Sequence, residues 1–265
     1  MFRLALVLAM MAGVTHVDAA PKKSKVESKT KAKKSKSREL PDKVVGPKSK
    51  RRGKRNSARI GRIPTRATLA KLEGMPPGFT WPPTRAMLAA EQECESKLDR
   101  AGVVWERGEP EGRIVNAIYV KAMVFGGIQY TQMWGGKGPH KLDCQLALAL
   151  ETIGPELRAI GVREVKFGSL YRWSNVRSHG QTRPILSRHG LGLAMDIGSF
   201  VDDAGKESVV KRDYTHGDEL LLSIEQVVNA SGNFRIVLTP KNDPVSHSDH
   251  FHIEARSDFT SPDVP

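Results

Sequence analysis

Residues 187–200 read SRHGLGLAMDIGSF, and this stretch contains two residues of types that bind metals, His189 and Asp196. Gly190 and Gly192 lie between His189 and Asp196 and give the backbone freedom to bend. The apolar residues around Asp196 are typical of a buried strand. A separation of seven residues is too long for one helical turn. The pattern therefore predicts a loop that carries His189 and leads into a strand that carries Asp196.

A second polar stretch, HSDHFH, occupies residues 247–252. His250 and His252 are two residues apart on a predicted strand, so their side chains are expected on the same face. Zinc takes nitrogen from histidine and oxygen from aspartate, and a catalytic site leaves its fourth position to water. Either histidine is therefore able to join His189 and Asp196 around a metal ion.

The other apolar patterns predict an α+β domain, with a small antiparallel sheet flanked by helices. Asp143 is a candidate helix cap, and Pro155 is expected to kink or split the helix that follows. Short strands or irregular backbone structure are expected between residues 102 and 138. Helices are predicted at 88–100, 144–161 and 217–230, and strands at 164–171, around Asp196, at 234–238 and at 250–255.

The first nineteen residues have the pattern of a secretory signal. A positive residue, Arg3, precedes an apolar run that is too short to span a bilayer. The small-residue spacing at Val17 and Ala19 predicts cleavage after Ala19, and an uncleaved anchor is the alternative. The protein is thus expected to be exported, periplasmic or secreted, with no transmembrane segment after cleavage.

The net charge of +13 belongs mostly to one segment. Residues 22–66 contain 19 Lys and Arg against three acids, and the rest of the chain has a slight acidic excess. The composition of 20–66 predicts a disordered tail that binds anionic cell-envelope polymers. A specific nucleic-acid partner is the least favoured use of the tail, because the folded part is not basic. Beyond it we expect a Pro-rich lead-in (67–87), the domain proper (88–258) and a short C-terminal tail (259–265).

The chain has two cysteines, Cys94 and Cys144. In an oxidising compartment, two cysteines pair as a disulfide more often than they bind a metal. A disulfide between them is therefore expected, and two unrelated buried thiols are the alternative.

The two polar stretches resemble motifs of a known group of enzymes. SRHGLGLAMDI resembles the first metal-binding motif of zinc D-Ala-D-Ala carboxypeptidases, D,D-dipeptidases and murein endopeptidases, and SDHFHIE resembles their second. More closely, CQLALAL, the His-to-Asp motif and the terminal DHFH make the region from about Cys94 to Glu254 similar to the bacterial extensin-like C-terminal domain. The resemblance implies zinc coordination by His189, Asp196 and His252, and a peptidoglycan peptide as substrate.

The resemblance also implies roles for residues outside the ligand set. Arg172, which follows Tyr171, would contact substrate or a developing oxyanion, and Ser187 and Tyr171 would contact substrate. A salt-bridged structural arginine is the alternative for Arg172. For Ser187 the alternative is a hydroxyl that caps a turn.

The general base is assigned to Asp249, although its odd separation from His252 would turn it away from the metal on a regular strand. The preceding residues have loop character, so Asp249 is expected at the loop-to-strand junction, where its side chain is free to turn inward. His250 has the correct parity and is the alternative base. The sequence thus predicts an exported zinc hydrolase, and a non-catalytic cell-wall-binding module with a zinc site is the alternative.

Overall fold

The computed structural model describes residues 74–260. The predicted signal peptide, the basic tail, the first part of the lead-in (67–73) and residues 261–265 lie outside this range. Within residues 74–260, every helix is too short or too polar to cross a membrane.

Two helices frame the first half of the described region, and both begin with a side-chain cap. Helix α1 covers Arg85–Ala101, its first turn is capped by Thr84, and it ends at Gly102 with a φ of 76°. Helix α2 covers Cys144–Ala159 and begins where the Asp143 carboxylate accepts the Gln145 N–H, as predicted. Pro155 does not split it, because α2 continues through that residue.

The second half contains two further helices and two 3-10 turns. The short helix α3 covers Val210–Asp213, and α4 covers Glu219–Ala230. The 3-10 turns lie at Arg188–Leu191 and Tyr214–His216. The helix predicted at 217–230 is therefore confirmed, with its start two residues later.

Twelve strands occur among the described residues. In chain order they are β1 (Glu106–Arg107), β2 (Ala117–Val120), β3 (Val124–Phe125), β4 (Ile128–Gln132), β5 (His140–Asp143), β6 (Val162–Ser169), β7 (Asn175–Ser178), β8 (Gln181–Leu186), β9 (Ala194–Asp202), β10 (Glu207–Val209), β11 (Phe234–Leu238) and β12 (Phe251–Ala255). The predicted strands correspond to β6, β9, β11 and β12. The short strands β1 to β4 lie in the region 102–138, where short strands or irregular structure were expected, and β5, the β7–β8 hairpin and β10 have no counterpart in the prediction.

The main sheet is larger than predicted and is not purely antiparallel. It has seven strands in the order β11-β12-β9-β6-β4-β3, with β10 paired to β9, and β4 runs parallel to β6. Strands β1, β2 and β5 form a separate three-stranded sheet, and β7 and β8 pair with each other. The prediction of a small antiparallel sheet is wrong in these two respects, because strand pairing depends on contacts between segments far apart in sequence. The α+β class is confirmed.

The register of the central strands brings the polar residues of the two motifs together. Asp196 on β9 lies opposite His252 on β12 and opposite Ser169 at the end of β6. Buried aromatic side chains fix these strands, among them Phe167, Phe200 and Phe251. The apolar core therefore holds one row of polar side chains across three adjacent strands.

The predicted disulfide is confirmed. Cys94 on α1 and Cys144 at the start of α2 form a bond that closes a segment of 50 residues, and both are buried. This bond joins the first helix to the helix that packs beneath the main sheet.

Removal of the disulfide by the double change Cys94→Ser and Cys144→Ser is expected to lower the free energy of unfolding by about 4 kcal/mol. The estimate follows from the loop entropy that the bond removes from the unfolded chain. Urea denaturation of the parent, with and without a thiol reductant, measures it, and the double variant should not respond to the reductant. Equal midpoints for the parent and the variant would contradict the expectation.

Candidate functional site

Three side chains from the two motifs form the His-Asp-His cluster, which consists of His189, Asp196 and His252. Their ligand atoms all lie within 4.8 Å of one another. Asp196 Oδ1 is 3.0 Å from His189 Nε2 and 2.8 Å from His252 Nδ1. The structure thus brings the three predicted ligands together, with one donor atom of each facing a common point.

His189 is held by the 3-10 turn Arg188–Leu191. The Ser187 hydroxyl caps this turn by accepting the His189 N–H at 3.3 Å, and His189 Nδ1 lies 2.5 Å from the Leu170 carbonyl oxygen. Gly192 ends the turn with a φ of 69°, and a β-carbon there would come within 2.7 Å of the backbone of β5. Ser187 therefore has the geometry of a turn cap, which is the alternative to substrate contact that the sequence allows.

His252 is held from the opposite side by a carboxylate. Its Nε2 lies 3.1 Å from Glu254 Oε1, and the other Glu254 oxygen accepts hydrogen bonds from the Arg235 guanidinium. In each of the two cluster histidines, one nitrogen faces Asp196 and the other is fixed by an acceptor. Metal-binding histidines show this arrangement, and two imidazoles with one carboxylate suit zinc, so the cluster is a fitting donor set for that ion.

The second oxygen of Asp196 is occupied by neighbours from β6 and the segment after it. Asp196 Oδ2 accepts hydrogen bonds from Ser169 Oγ at 2.6 Å and from Arg172 Nη2 at 3.0 Å. Arg172 also donates to the hydroxyls of Ser169 and Ser174. The guanidinium is about half exposed, so it holds the Asp196 carboxylate and still faces solvent.

A third histidine approaches the cluster from the segment that precedes β12. His250 Nε2 lies 3.5 Å from Asp196 Oδ1, and His250 Nδ1 lies 2.7 Å from the Asp249 carboxylate. Because β12 begins only at Phe251, the two residues lie at the loop-to-strand junction, as expected from the sequence. Asp249 and His250 therefore form one hydrogen-bonded pair beside the cluster.

A cleft of about 250 Å³ opens next to this pair. Four polar residues of the site border it: Ser169, Asp196, Asp249 and His250. The remaining wall consists of Met133, Trp134, Gly168 and Gly198. A substrate that enters the cleft therefore meets Asp196 and the Asp249–His250 pair directly.

The carboxylates around the cluster favour positive charge. Burial raises the pKa of Asp196, but hydrogen bonds from His189 and His252 hold that pKa well below its usual range. Burial lowers the pKa of His252, but Asp196 and Glu254 raise it to about 9. Burial also lowers the pKa of His189. The two carboxylates that flank His252 thus stabilise a cation at this position, whether a proton or a metal ion.

The structure also gives the positions of three further residues, Tyr171, Ser169 and His247. Tyr171 does not line the cleft but packs against Gly112, where a β-carbon would come within 2.6 Å of its hydroxyl oxygen. Ser169 was not predicted, because it is 27 residues from Asp196 in sequence and meets it only through the pairing of β6 with β9. The His247 ring lies next to that of His252, with the ring centroids 5.3 Å apart, and its Nδ1 is 3.1 Å from Asp243 Oδ2.

Comparison with known proteins gives a family match, and that match covers the region that carries the site. Neither the curated proteins nor the solved structures give a significant match to this chain. A family model described as "Extensin-like protein C-terminus" matches residues 92–261, which is more than half of the chain and includes the whole cluster. The chain therefore belongs to the extensin-like protein C-terminus family.

Proposed function

We propose that this protein is an exported zinc-dependent hydrolase that cleaves peptide bonds in the cross-links or stem peptides of peptidoglycan. The observation that carries the proposal is the His-Asp-His cluster next to an open cleft, with the Asp249–His250 pair at the border between them. Three protein ligands beside open space suit a catalytic metal, whereas a structural zinc site has four.

A zinc ion held by His189, Asp196 and His252 would supply Lewis acidity to a water molecule and to the substrate carbonyl. The Asp249–His250 pair would take the proton from the attacking water and return it to the leaving amine. Since His250 Nε2 is directed toward Asp196 and Asp249 contacts the other ring nitrogen, the pair acts as one unit. This geometry favours His250 as the group that exchanges the proton, with Asp249 orienting its ring. The assignment of Asp249 itself as the general base, made from the sequence, stays a prediction.

Arg172 is proposed to stabilise negative charge that develops on the substrate. Its guanidinium donates to Asp196 Oδ2 and remains about half exposed, so part of it is free to meet a carbonyl oxygen. A fixed positive charge near the developing oxyanion is a common source of transition-state stabilisation. Substrate contact by Ser187 and Tyr171 stays a prediction, and their positions give it little support.

The substrate class rests on the resemblance of both motifs to those of murein peptidases. Membership of the extensin-like family is consistent with action at a cell wall or outside the cell. The basic segment 20–66 is proposed to tether the enzyme to anionic envelope polymers. We propose no specific nucleic-acid partner.

The test is digestion of purified sacculi by the zinc-loaded full chain, with the released fragments identified by mass spectrometry. Cleaved cross-links or shortened stem peptides are expected, and a chelator should stop their release. The Asp196→Ala variant is the matched control, because it lacks the central carboxylate of the cluster. Failure of the zinc-bound protein to cleave both sacculi and soluble stem peptides would refute the proposal.

Deletion of residues 20–66 is expected to leave the turnover of soluble stem peptides unchanged and to weaken attachment to sacculi at low salt. The reason is that attraction between exposed charges is screened as the ionic strength rises. Sedimentation with sacculi over a range of salt concentrations measures the attachment. Loss of turnover on a small soluble peptide would contradict the tether.

Glu254→Gln is expected to lower the affinity for zinc by about 10- to 100-fold, the usual effect of changing a group behind a metal-binding histidine. Glu254 Oε1 lies 3.1 Å from His252 Nε2 and fixes the orientation of that ring. Competition with a chromophoric chelator measures the affinity. Glu207→Gln is the control, since Glu207 contacts Ser199 and Lys166 instead of the cluster. Equal affinities of Glu254→Gln and parent would contradict this role.

One observation favours the alternative, a non-catalytic cell-wall-binding module. His250 Nε2 lies only 3.5 Å from Asp196 Oδ1, so His250 is close enough to become a fourth protein ligand. A closed four-ligand site would make the zinc structural. The zinc content of a His250→Ala variant separates the two functions, because a fourth ligand would be lost with the side chain.

A further inference from the structure

Two large apolar side chains lie exposed at the edge of the cleft. Trp134 is 76% exposed and Met133 is 44% exposed, and both border the cleft that contains Asp196 and His250. Exposed apolar surface of this size at a cleft is typical of a ligand-binding surface, since burying it on folding would have been favourable. We call Met133 and Trp134 the apolar shelf.

The apolar shelf is held in place by glycines on two central strands. A β-carbon on Gly198 of β9 would come within 2.3 Å of Met133 Sδ, and one on Gly168 of β6 would come within 3.1 Å of the Trp134 ring. Glycine within a strand often marks a position where another group approaches closely. The two glycines thus provide the space that the Met133 side chain and one edge of the Trp134 ring occupy beside the sheet.

The backbone beneath the shelf is anchored as well. Met133 directly follows β4, and its N–H donates to the Phe167 carbonyl oxygen at 2.9 Å, which extends the pairing with β6. Trp134 therefore projects from a fixed backbone position. Because this backbone is already ordered, little conformational entropy is lost there when a ligand binds.

We propose that the apolar shelf is a carbohydrate subsite, in which the Trp134 ring stacks on a sugar ring of the glycan strand that carries the peptide. This inference rests on the proposed function, because it concerns the same cleft. The indole offers a flat apolar face with a polar N–H at its edge, which suits the C–H face of a pyranose bordered by hydroxyl and acetamido groups. The peptide bond would then lie at the other end, near Asp196 and the Asp249–His250 pair.

A sugar fits this surface better than an extended peptide does. Extended peptides commonly bind by adding a strand to a free sheet edge. In the part of the sheet beneath the shelf, β6 is paired with β4 and β9, and β9 is paired on one side with β6 and on the other with β12 and β10. Strands β6 and β9 therefore offer no open edge to a peptide backbone in this part of the described sheet, and a ring that binds through its face needs none.

Titration of the full chain with chitotetraose, a soluble chain of N-acetylated amino sugars, tests the subsite. Two-dimensional NMR of the tryptophan indole N–H groups should show a shift at Trp134 in the parent. Trp134→Ala is expected to weaken binding by about tenfold or more, and Trp134→Phe should retain part of it. Trp173→Ala is the matched control, because Trp173 is also exposed (55%) but packs by Gly112 away from the cleft lining.

Equal affinity of Trp134→Ala and parent, with unchanged melting temperatures, would overturn the subsite, as would failure of the parent to bind chitotetraose. The same titration with Asp196→Ala separates this inference from the proposed function, since sugar binding should persist without the metal cluster. A kinetic comparison provides the second readout. Trp134→Ala should raise KM for a disaccharide-bearing muropeptide by a larger factor than it raises KM for the free stem peptide. An equal rise in KM for the free peptide would instead assign the shelf to the peptide.

Discussion

The change Asp196→Ala is expected to leave the protein without bound zinc. Asp196 Oδ1 faces His189 Nε2 at 3.0 Å and His252 Nδ1 at 2.8 Å, so the carboxylate lies at the centre of the proposed ligand set. Its removal takes away one ligand and the only negative charge among the three. Changing a group that merely supports a ligand costs 10- to 100-fold in affinity, so loss of this ligand should exceed about 100-fold.

Elemental analysis after dialysis measures the zinc content, and competition with a chelator measures the residual affinity. Asp202→Ala is the matched control, because Asp202 ends the same strand and contacts the backbone of Lys206 instead of the cluster. The control should bind zinc as the parent does. Full zinc stoichiometry in Asp196→Ala, with affinity equal to that of the parent, would refute the site.

The second large effect concerns the Asp249–His250 pair. His250→Ala is expected to retain zinc and to lose hydrolysis of stem peptides by a factor of about 100 or more, the usual scale for a positioned acid–base group. Asp249→Asn should also retain zinc and lose activity, because the amide no longer fixes the tautomer of His250 through the 2.7 Å contact. Zinc content and peptide turnover are measured on the same samples.

The two variants together separate three possibilities. A greater loss in Asp249→Asn than in His250→Ala would make Asp249 the base, as the sequence predicts. Loss of zinc in His250→Ala would make His250 a fourth ligand and would favour the cell-wall-binding module. Turnover at the parent rate in both variants would exclude the pair from catalysis.

Much of the local structure could be predicted from the sequence, because it depends on residues close together in the chain. Helix α1 ends at Gly102, and α2 begins at the Asp143 cap, where short-range rules apply. Strand β11 has the predicted bounds, Phe234–Leu238. The turn that carries His189 and the strand that carries Asp196 follow the glycines and apolar residues between them.

The pairing of strands could not be predicted in the same way. The parallel contact between β4 and β6 and the full width of the sheet depend on segments separated by α2. Which face of the sheet each residue reaches follows from this register. For this reason Ser169 at Asp196 and the glycines beneath Met133 and Trp134 had no local signal.

Histidine and aspartate chemistry and local backbone preference are properties of the residues alone. The amino-acid sequence therefore indicates which residue types are present to bind a metal and which short segments carry them. The fold of the described residues brings His189, Asp196 and His252 within 4.8 Å of one another. It also places the Asp249–His250 pair beside them and Arg172 on the outer oxygen of Asp196. Short-range rules do not reach these contacts, because the contact between Asp196 and His252 joins side chains 56 residues apart, and the apolar core fixes the strands that carry them.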